Sequence, residues 1–237
     1  MRVFIKGDCH GDFDFLEEFC RSNSTSIADV LIILGDAGIL YYGAHSQREC
    51  LLKQYITNKP ITLFCIRGNH EDRPENRKEM IKEKRFGNYV YYDANYPNIL
   101  YAIDGLEYKI NNQSYLALGG AYSVDKHYRI AYNWKWNPNE QLSSIEMDTI
   151  EEQIEGKNFD YILSHTCPYS WQPTYLFIQG IDQNSIDHTM EYWLEDIFKE
   201  CKWREWWFGH YHENNMDVCG DGKVHMLFNE IKEIKNE

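Results

Sequence analysis

Basic residues are scarce: 24 Lys and Arg face 37 Asp and Glu over 237 residues, a formal charge of −13. A chain so poor in cations makes a weak platform for long nucleic acid, whose phosphates draw on Lys- and Arg-rich surfaces. Bound metal ions can still reverse the sign locally. Long apolar runs are missing too. No stretch approaches the roughly 18 apolar residues that a membrane-spanning helix needs. The start, Met1-Arg2-Val3-Phe4-Ile5-Lys6-Gly7-Asp8, has no secretory-leader pattern. The seven cysteines are an odd number and form no CxxC pair, which fits reduced thiols better than a disulfide framework. These absences predict a soluble, cytoplasmic protein with no membrane partner. No Pro- or Gly-rich linker, repeat or low-complexity tract divides the chain, so residues 1–237 are expected to form a single domain.

What is present is a core. At 43% hydrophobic and 15% aromatic, disorder is excluded despite the charge. Apolar runs of strand length recur at 3–5, 30–34, 61–66, 115–118, 161–163 and 206–208. Continuous runs of this kind suit strands buried on both faces. Between the first three lie helical spacings, with Phe15, Leu16 and Phe19 on one face and Leu51, Leu52, Tyr55 and Ile56 on another. Strand–helix–strand alternation predicts an α/β fold. Further helices are expected at about 140–155, opened by Pro138-Asn139, and at about 185–200, capped by Asn184 or Ser185. The stretch 99–119 reads as a hairpin or meander turning at Asn111-Asn112, and 218–228 as a second hairpin. Residues 121–138 are polar and aromatic, without a clear period.

The informative residues stand directly after five of those runs: Gly7-Asp8-Cys9-His10-Gly11, Gly35-Asp36, Arg67-Gly68-Asn69-His70-Glu71, Ser164-His165 and Gly209-His210-Tyr211-His212. In an open α/β sheet, ligands bind at the carboxyl ends of strands. Five strands would then deliver Asp, His and Asn side chains to one edge. Any one of these motifs alone is as well explained by a turn or a hydrogen-bonded histidine. Five in succession are not. Mixed nitrogen and oxygen donors suit Mn, Fe, Zn, Ni or Co rather than Ca or a thiolate zinc site. Seven donors are too many for one tetrahedral ion and suit a pair of ions sharing a carboxylate. Cys9 stands between two of the donors and is expected to be an inert filler.

These motifs, in this order and spanning residues 7–212, resemble those of the calcineurin-like metallophosphoesterases. The resemblance implies a four-layer α-β-β-α sandwich of two mixed β-sheets flanked by helices. It also implies two divalent ions, with manganese the first expectation. One would be held by Asp8, His10, Asp36 and His212, the other by Asp36, Asn69, His165 and His210. A hydroxide bridging the ions would attack phosphorus, and His70 would protonate the leaving oxygen. Glu71 or Asp72 would raise the His70 pKa by pairing with it, or would be solvated loop carboxylates. Asp36 is followed by Ala37-Gly38-Ile39-Leu40, where the protein Ser/Thr phosphatase branch has an Asp-Arg-Gly segment. Arg67, Ser123, Lys126 and Arg129 are therefore the candidates for contacting phosphate, unless 119–129 is a loop tied by its own Asp125–Arg129 pair.

Other singled-out residues read as structural. Trp203, Trp206 and Trp207 fit a core, Trp134 and Trp136 pack beneath a loop or form a lid, and His45, His127, His188 and His225 are structural or exposed. The expected activity is hydrolysis of a small, nucleotide or phosphopeptide phosphate monoester. A phosphodiesterase or nuclease acting on nucleotides or short nucleic acid is the alternative. A non-catalytic metal-binding scaffold is a third, disfavoured because no ligand position is lost.

Overall fold

The computed structural model describes residues 1–235. The chain begins with β1 (Val3–Lys6), α1 (Phe15–Asn23), β2 (Val30–Ile33), α2 (Gln47–Thr57) and β3 (Thr62–Cys65). Strands β4 (Met80–Arg85), β5 (Asn88–Asp93), β6 (Ile99–Tyr101), β7 (Glu107–Ile110) and β8 (Gln113–Leu118) follow. Helices α3 (Lys126–Ala131) and α4 (Ser144–Ile154) lead into β9 (Asn158–Ser164). After short 3₁₀ turns come α5 (Thr189–Glu200), β10 (Lys202–Phe208), β11 (Val224–Met226) and β12 (Ile231–Ile234).

The strands form a seven-stranded sheet, order β12-β1-β2-β3-β6-β5-β4, and a five-stranded sheet, order β11-β10-β9-β8-β7. Both are mixed. Strands β1, β2, β3 and β6 run parallel, as do β8, β9, β10 and β11, with antiparallel strands at the flanks.

Side-chain alternation turns these sheets into four layers. Val3, Ile5, Ile32, Leu34 and Phe64 of the first sheet meet Tyr115, Ala117, Tyr161, Leu163 and Trp207 of the second in one core. The intervening residues Phe4, Leu31, Ile33 and Leu63 point the other way, onto Phe13, Leu16 and Ile56 beneath α1 and α2. On the far side Leu116, Ile162, Trp206 and Phe208 pack against Ile150 and Ile154 of α4 and Trp193, Leu194 and Ile197 of α5. Each central strand is thus apolar at successive positions because both its faces are covered. Burying one such side chain stabilises by about 1.5–3 kcal/mol.

Several local expectations are corrected. Leu51 is 58% exposed, because the inner stripe of α2 runs through Glu49, Lys53 and Ile56 instead. That stripe can be polar because its charges find partners: Lys53 pairs with Glu49 at 2.7 Å, and Glu49 also pairs with Arg77. Helix α4 starts five residues after the Pro138-Asn139 expected to open it, at a capping box in which Ser143 and Glu146 satisfy each other's backbone N–H groups. Helix α5 begins at Thr189; Asn184 and Ser185 belong to a separate 3₁₀ turn. The Asn111-Asn112 turn joins β7 and β8 as a two-residue hairpin with both φ values positive, while β6 departs to the other sheet. The tail is not a simple hairpin, since β11 pairs parallel to β10 and its antiparallel contact is the single bridge Asn215–Met226. The charged edge hairpin β4–β5 and strand β12 carry no long apolar run and were not legible.

Candidate dimetal centre

The carboxyl ends of β1, β2, β3, β9 and β10 converge where the two sheets meet, and each is followed by its motif. Within these motifs the backbone leaves ordinary geometry. His10, Asp36, His210 and His212 have φ of 48°, 42°, 68° and 53°. A left-handed conformation at a residue other than glycine costs roughly 1–3 kcal/mol and persists only where surrounding structure enforces it. Here it turns each side chain back toward the shared edge. The motif glycines have a matching reason. A Cβ at Gly68 would overlap the Asp36 carboxylate, and one at Gly35 would overlap the His165 ring. At Gly35, Gly68 and Gly209 the turn must be bare because a donor from another strand lies on it, whereas Gly7 makes room for the Leu227 backbone.

All seven expected donors are brought together. His10 Nε2 and His212 Nε2 lie 2.9 Å apart, and Asp8 Oδ2 lies 3.7 Å and 3.3 Å from them. Asp36 Oδ2 lies 3.9 Å from His10 Nδ1 and 3.7 Å from His165 Nε2. His165 Nε2 is 2.8 Å from Asn69 Oδ1. The His210 ring is 5.0 Å from that of His165, and its backbone N–H donates to Asp8 Oδ1 at 2.8 Å. Two sets of acid and histidine atoms are close enough to share an ion: Asp8, His10 and His212, and Asp8, Asp36 and His165.

The local geometry suits a cation. His165 Nδ1 is 2.7 Å from the Leu34 carbonyl, which orients the ring so that Nε2 faces the cluster. Asn69 Nδ2 donates to Ser123 Oγ at 2.8 Å, which turns Oδ1 toward the same point. Asp8 Oδ2, fully buried, has no hydrogen-bond partner. A buried carboxylate oxygen without a donor, beside imidazole nitrogen and amide oxygen, fits a divalent metal.

The pKa pattern agrees. Burial would raise Asp8, but the imidazoles of His165 and His212 and the His210 N–H outweigh it and hold the carboxyl well below its usual range. Burial, with His165 close by, pushes His210 down to about 3, leaving its ring neutral and able to ligate. His212 is raised by the Asp8 carboxylate, whose Oδ2 lies 3.3 Å from its Nε2.

His70 lies beside this cluster. Its N–H donates to Asp36 Oδ1 at 2.9 Å, and its Nε2 is 3.9 Å from Asp36 Oδ2. Burial lowers its pKa, opposed by Asp36. The expected pairing with Glu71 or Asp72 is not made. Glu71 is buried and accepts the Ala37 and Leu40 N–H groups at 3.2 Å and 3.3 Å, while Asp72 pairs with Arg77 and Lys135. Burial and the neighbouring Asp36 push Glu71 up to about 8.

The four residues expected to contact phosphate all hold other partners in the structure, and only Ser123 among them lines the cavity. Arg67 is buried with its guanidinium committed to Asp104 and to the carbonyls of Glu140 and Gly119. The Ser123 hydroxyl donates to Glu140 at 2.5 Å while accepting from Asn69, so it orients a donor and has no proton for phosphate. Lys126 folds over the Trp136 ring at 4.6 Å, and Arg129 pairs with Asp125 at 2.8 Å, the loop-tying pair foreseen above. Trp136 donates its indole N–H to Glu140, which places it beneath the loop, while Trp134 is exposed. Cys9 is buried and its thiol is pushed up to about 12, consistent with a filler.

The centre opens into a cavity of about 390 Å³. Asp36, Asn69, His70, His210 and His212 line one end, and residues between 172 and 191 line the other. His188, expected to be structural or exposed, stands in that far wall with Glu191. Nothing in the spacing of 172–191 marked it as a wall, because the segment is a series of short 3₁₀ turns.

Comparison with known proteins agrees with the fold and the centre. No curated protein matches the sequence. The crystal structure of TT1561 of Thermus thermophilus shares the fold, with a TM-score of 0.51 at 13% identity over 98% of this chain and 97% of that one. Residues 1–214 match the calcineurin-like phosphoesterase family. With that match over most of its length, the chain belongs to the calcineurin-like phosphoesterases, metal-dependent hydrolases of phosphoric esters whose centre takes two divalent ions.

Proposed function

We propose that the chain is a phosphatase for small phosphate monoesters, acting as one domain over residues 1–237. One ion would be held by Asp8, His10, Asp36 and His212, the other by Asp36, Asn69, His165 and His210. Manganese is the first expectation, with Fe, Zn, Ni and Co as alternatives. The observation that carries this is the position of Asp36 Oδ2, 3.9 Å from His10 Nδ1 of one proposed set and 3.7 Å from His165 Nε2 of the other. One carboxylate oxygen so placed suits a shared ligand.

Bound there, two divalent ions supply acidified water and offset charge on the phosphoryl oxygens. The side chains do the rest. Asp36 Oδ1 fixes His70 through its backbone N–H, and the imidazole faces the cavity beside the cluster. An alkoxide leaves poorly, so a proton delivered by His70 to the leaving oxygen raises the rate. Burial lowers the His70 pKa, which makes its protonated form a stronger acid. Among the described residues lining the cavity there is no Lys or Arg, so the phosphate charge is met by the ions rather than by side-chain cations. Lys126 and Arg129 lie outside that lining.

A phosphodiesterase or nuclease acting on nucleotides or short nucleic acid is the second reading, with the apolar far wall as room for a base. No helix among the described residues is long and apolar enough to cross a membrane. A cytoplasmic location is part of the proposal, supported by seven cysteines that are all free. The test is a manganese-supplemented hydrolysis screen over monoesters, diesters, nucleotides and phosphopeptides. Monoesters should turn over fastest. Preference for diesters would overturn the phosphatase reading, and activity in metal-stripped protein would overturn the metal assignment.

A further inference from the structure

The far end of the cavity takes no part in the hydrolytic chemistry, yet it has the construction of a binding site. Leu176, Phe177, Ile178, Ile181 and Ile186 form its apolar wall. Glu191, the third residue of α5, contributes a carboxyl group and is only 4% exposed. Its Oε1 accepts from Thr166 Oγ1 at 2.9 Å, while Oε2 is buried with no hydrogen-bond partner. His188 Nδ1 is 3.9 Å from that oxygen, too far for a hydrogen bond. It lies instead 3.3 Å from the Gln172 side-chain amide. A buried acceptor without a donor costs roughly 1–3 kcal/mol. A donor arriving through the cavity relieves that cost.

The same carboxyl is tied to the centre. Thr166 follows His165, and its hydroxyl is 3.1 Å from the Tyr211 hydroxyl. Tyr211 stands between His210 and His212. The far wall and the centre line one continuous cavity. The cavity volume falls within the ~300–1,000 Å³ usual for small-ligand sites, which combine apolar walls with a few placed polar groups.

We propose that this end of the cavity is the leaving-group subsite, and that it takes a planar nitrogen heterocycle with an N–H donor, the chemistry of a nucleobase. The apolar wall covers the ring, Glu191 Oε2 accepts the N–H, and the ester phosphate lies on the metal centre. The substrate is then a mononucleotide-type ester. A longer strand would need cations for its further phosphates, and the described lining residues include none. This inference rests on the hydrolase reading above and narrows its substrate.

The test measures binding of adenosine, guanosine, cytidine and uridine to the full chain by calorimetry, with ribose and phenol as controls. Hydrolysis of the matching monophosphates is compared with that of glycerol phosphate in manganese. At least one nucleoside should bind better than both controls. Ile178→Asp should weaken that binding about tenfold or more, and the nucleotide-to-glycerol phosphate ratio of kcat/KM should fall by a similar factor. Ile178 is 60% exposed, so this variant leaves the buried core untouched. Nucleosides binding no better than ribose, or unaffected by Ile178→Asp, would overturn the subsite. Phenol binding as tightly as any nucleoside would overturn the N–H role of Glu191. A chain that hydrolyses glycerol phosphate but binds no nucleoside loses only the subsite. One that binds nucleosides yet hydrolyses no ester with any metal loses the hydrolase reading and keeps the subsite.

Discussion

The two oxygens of Asp36 have separate tasks. Oδ1 accepts the His70 N–H at 2.9 Å, and Oδ2 faces the imidazoles of His10, His70 and His165. Asp36→Asn keeps the shape but replaces one oxygen with a donor, so under the proposed assignment both ion sites would lose a ligand. Metal content should fall below two ions per chain, and turnover should drop by more than the ~10–100-fold typical of losing an outer partner. Elemental analysis with steady-state kinetics checks this; full occupancy would remove Asp36 as the shared ligand. His70→Ala should cost about 10²–10⁴-fold on alkyl phosphates and much less on nitrophenyl phosphate, whose leaving group needs no proton. Equal losses on both substrates would refute the acid role. At this scale the donors were legible because each follows a short apolar run and a Gly or Ser. The partners of Arg67 and Ser123 were not, since Asp104 and Glu140 lie 37 and 17 residues away in sequence.

Among the elements, those with apolar periodicity were the readable ones, while the caps of α4 and α5 fell at residues other than those expected. Strands β1, β2 and β3 stand out as continuous apolar runs because helices cover one face and the second sheet the other. The hairpin β4–β5, Met80 to Asp93, lies at a sheet edge with Lys, Glu and Arg along β4, so solvent and partner strand decide its form. Helix α4 depends on its cap. Ser143→Ala removes the hydroxyl that accepts the Glu146 N–H and should cost about 1 kcal/mol in urea unfolding. Burial would raise the Glu146 carboxyl, but its bonds to Arg73 and Ser143 outweigh burial and hold it at about 2. A depressed folded-state pKa stabilises above the unfolded value of about 4.3 and is lost as pH falls toward 2. The pair is partly exposed, so screening tempers its size. Thermal melts of Glu146→Gln should therefore fall below wild type at pH 7 and converge with it near pH 2–3. A gap independent of pH would show that Glu146 acts by packing alone.

For the molecule as a whole, the charge of −13 describes the outer surface, while the cleft gathers donors that await positive charge. Ions that bind the folded state alone stabilise it by mass action, by about 2.7 kcal/mol for one site at a hundredfold excess over Kd. In a chain of this length each kcal/mol shifts Tm by roughly 2–4 °C. Chelation should thus lower Tm and manganese restore it, as scanning calorimetry reads directly. No shift in either direction would count against a metal-bound folded state.

The core strands β1, β2, β3, β8, β9 and β10, their double-sided burial and the motifs that follow them can be read from the chain, because period and adjacency are local properties. Only the folded molecule shows which of those side chains cluster, which are neutralised by distant partners, and that residues 172–191 form the far wall of the cavity. Those outcomes depend on contacts between segments far apart in sequence, where Arg67 meets Asp104 and Thr166 meets Glu191. No spacing rule encodes such meetings, since loop-closure cost grows only slowly with separation and leaves many pairings open.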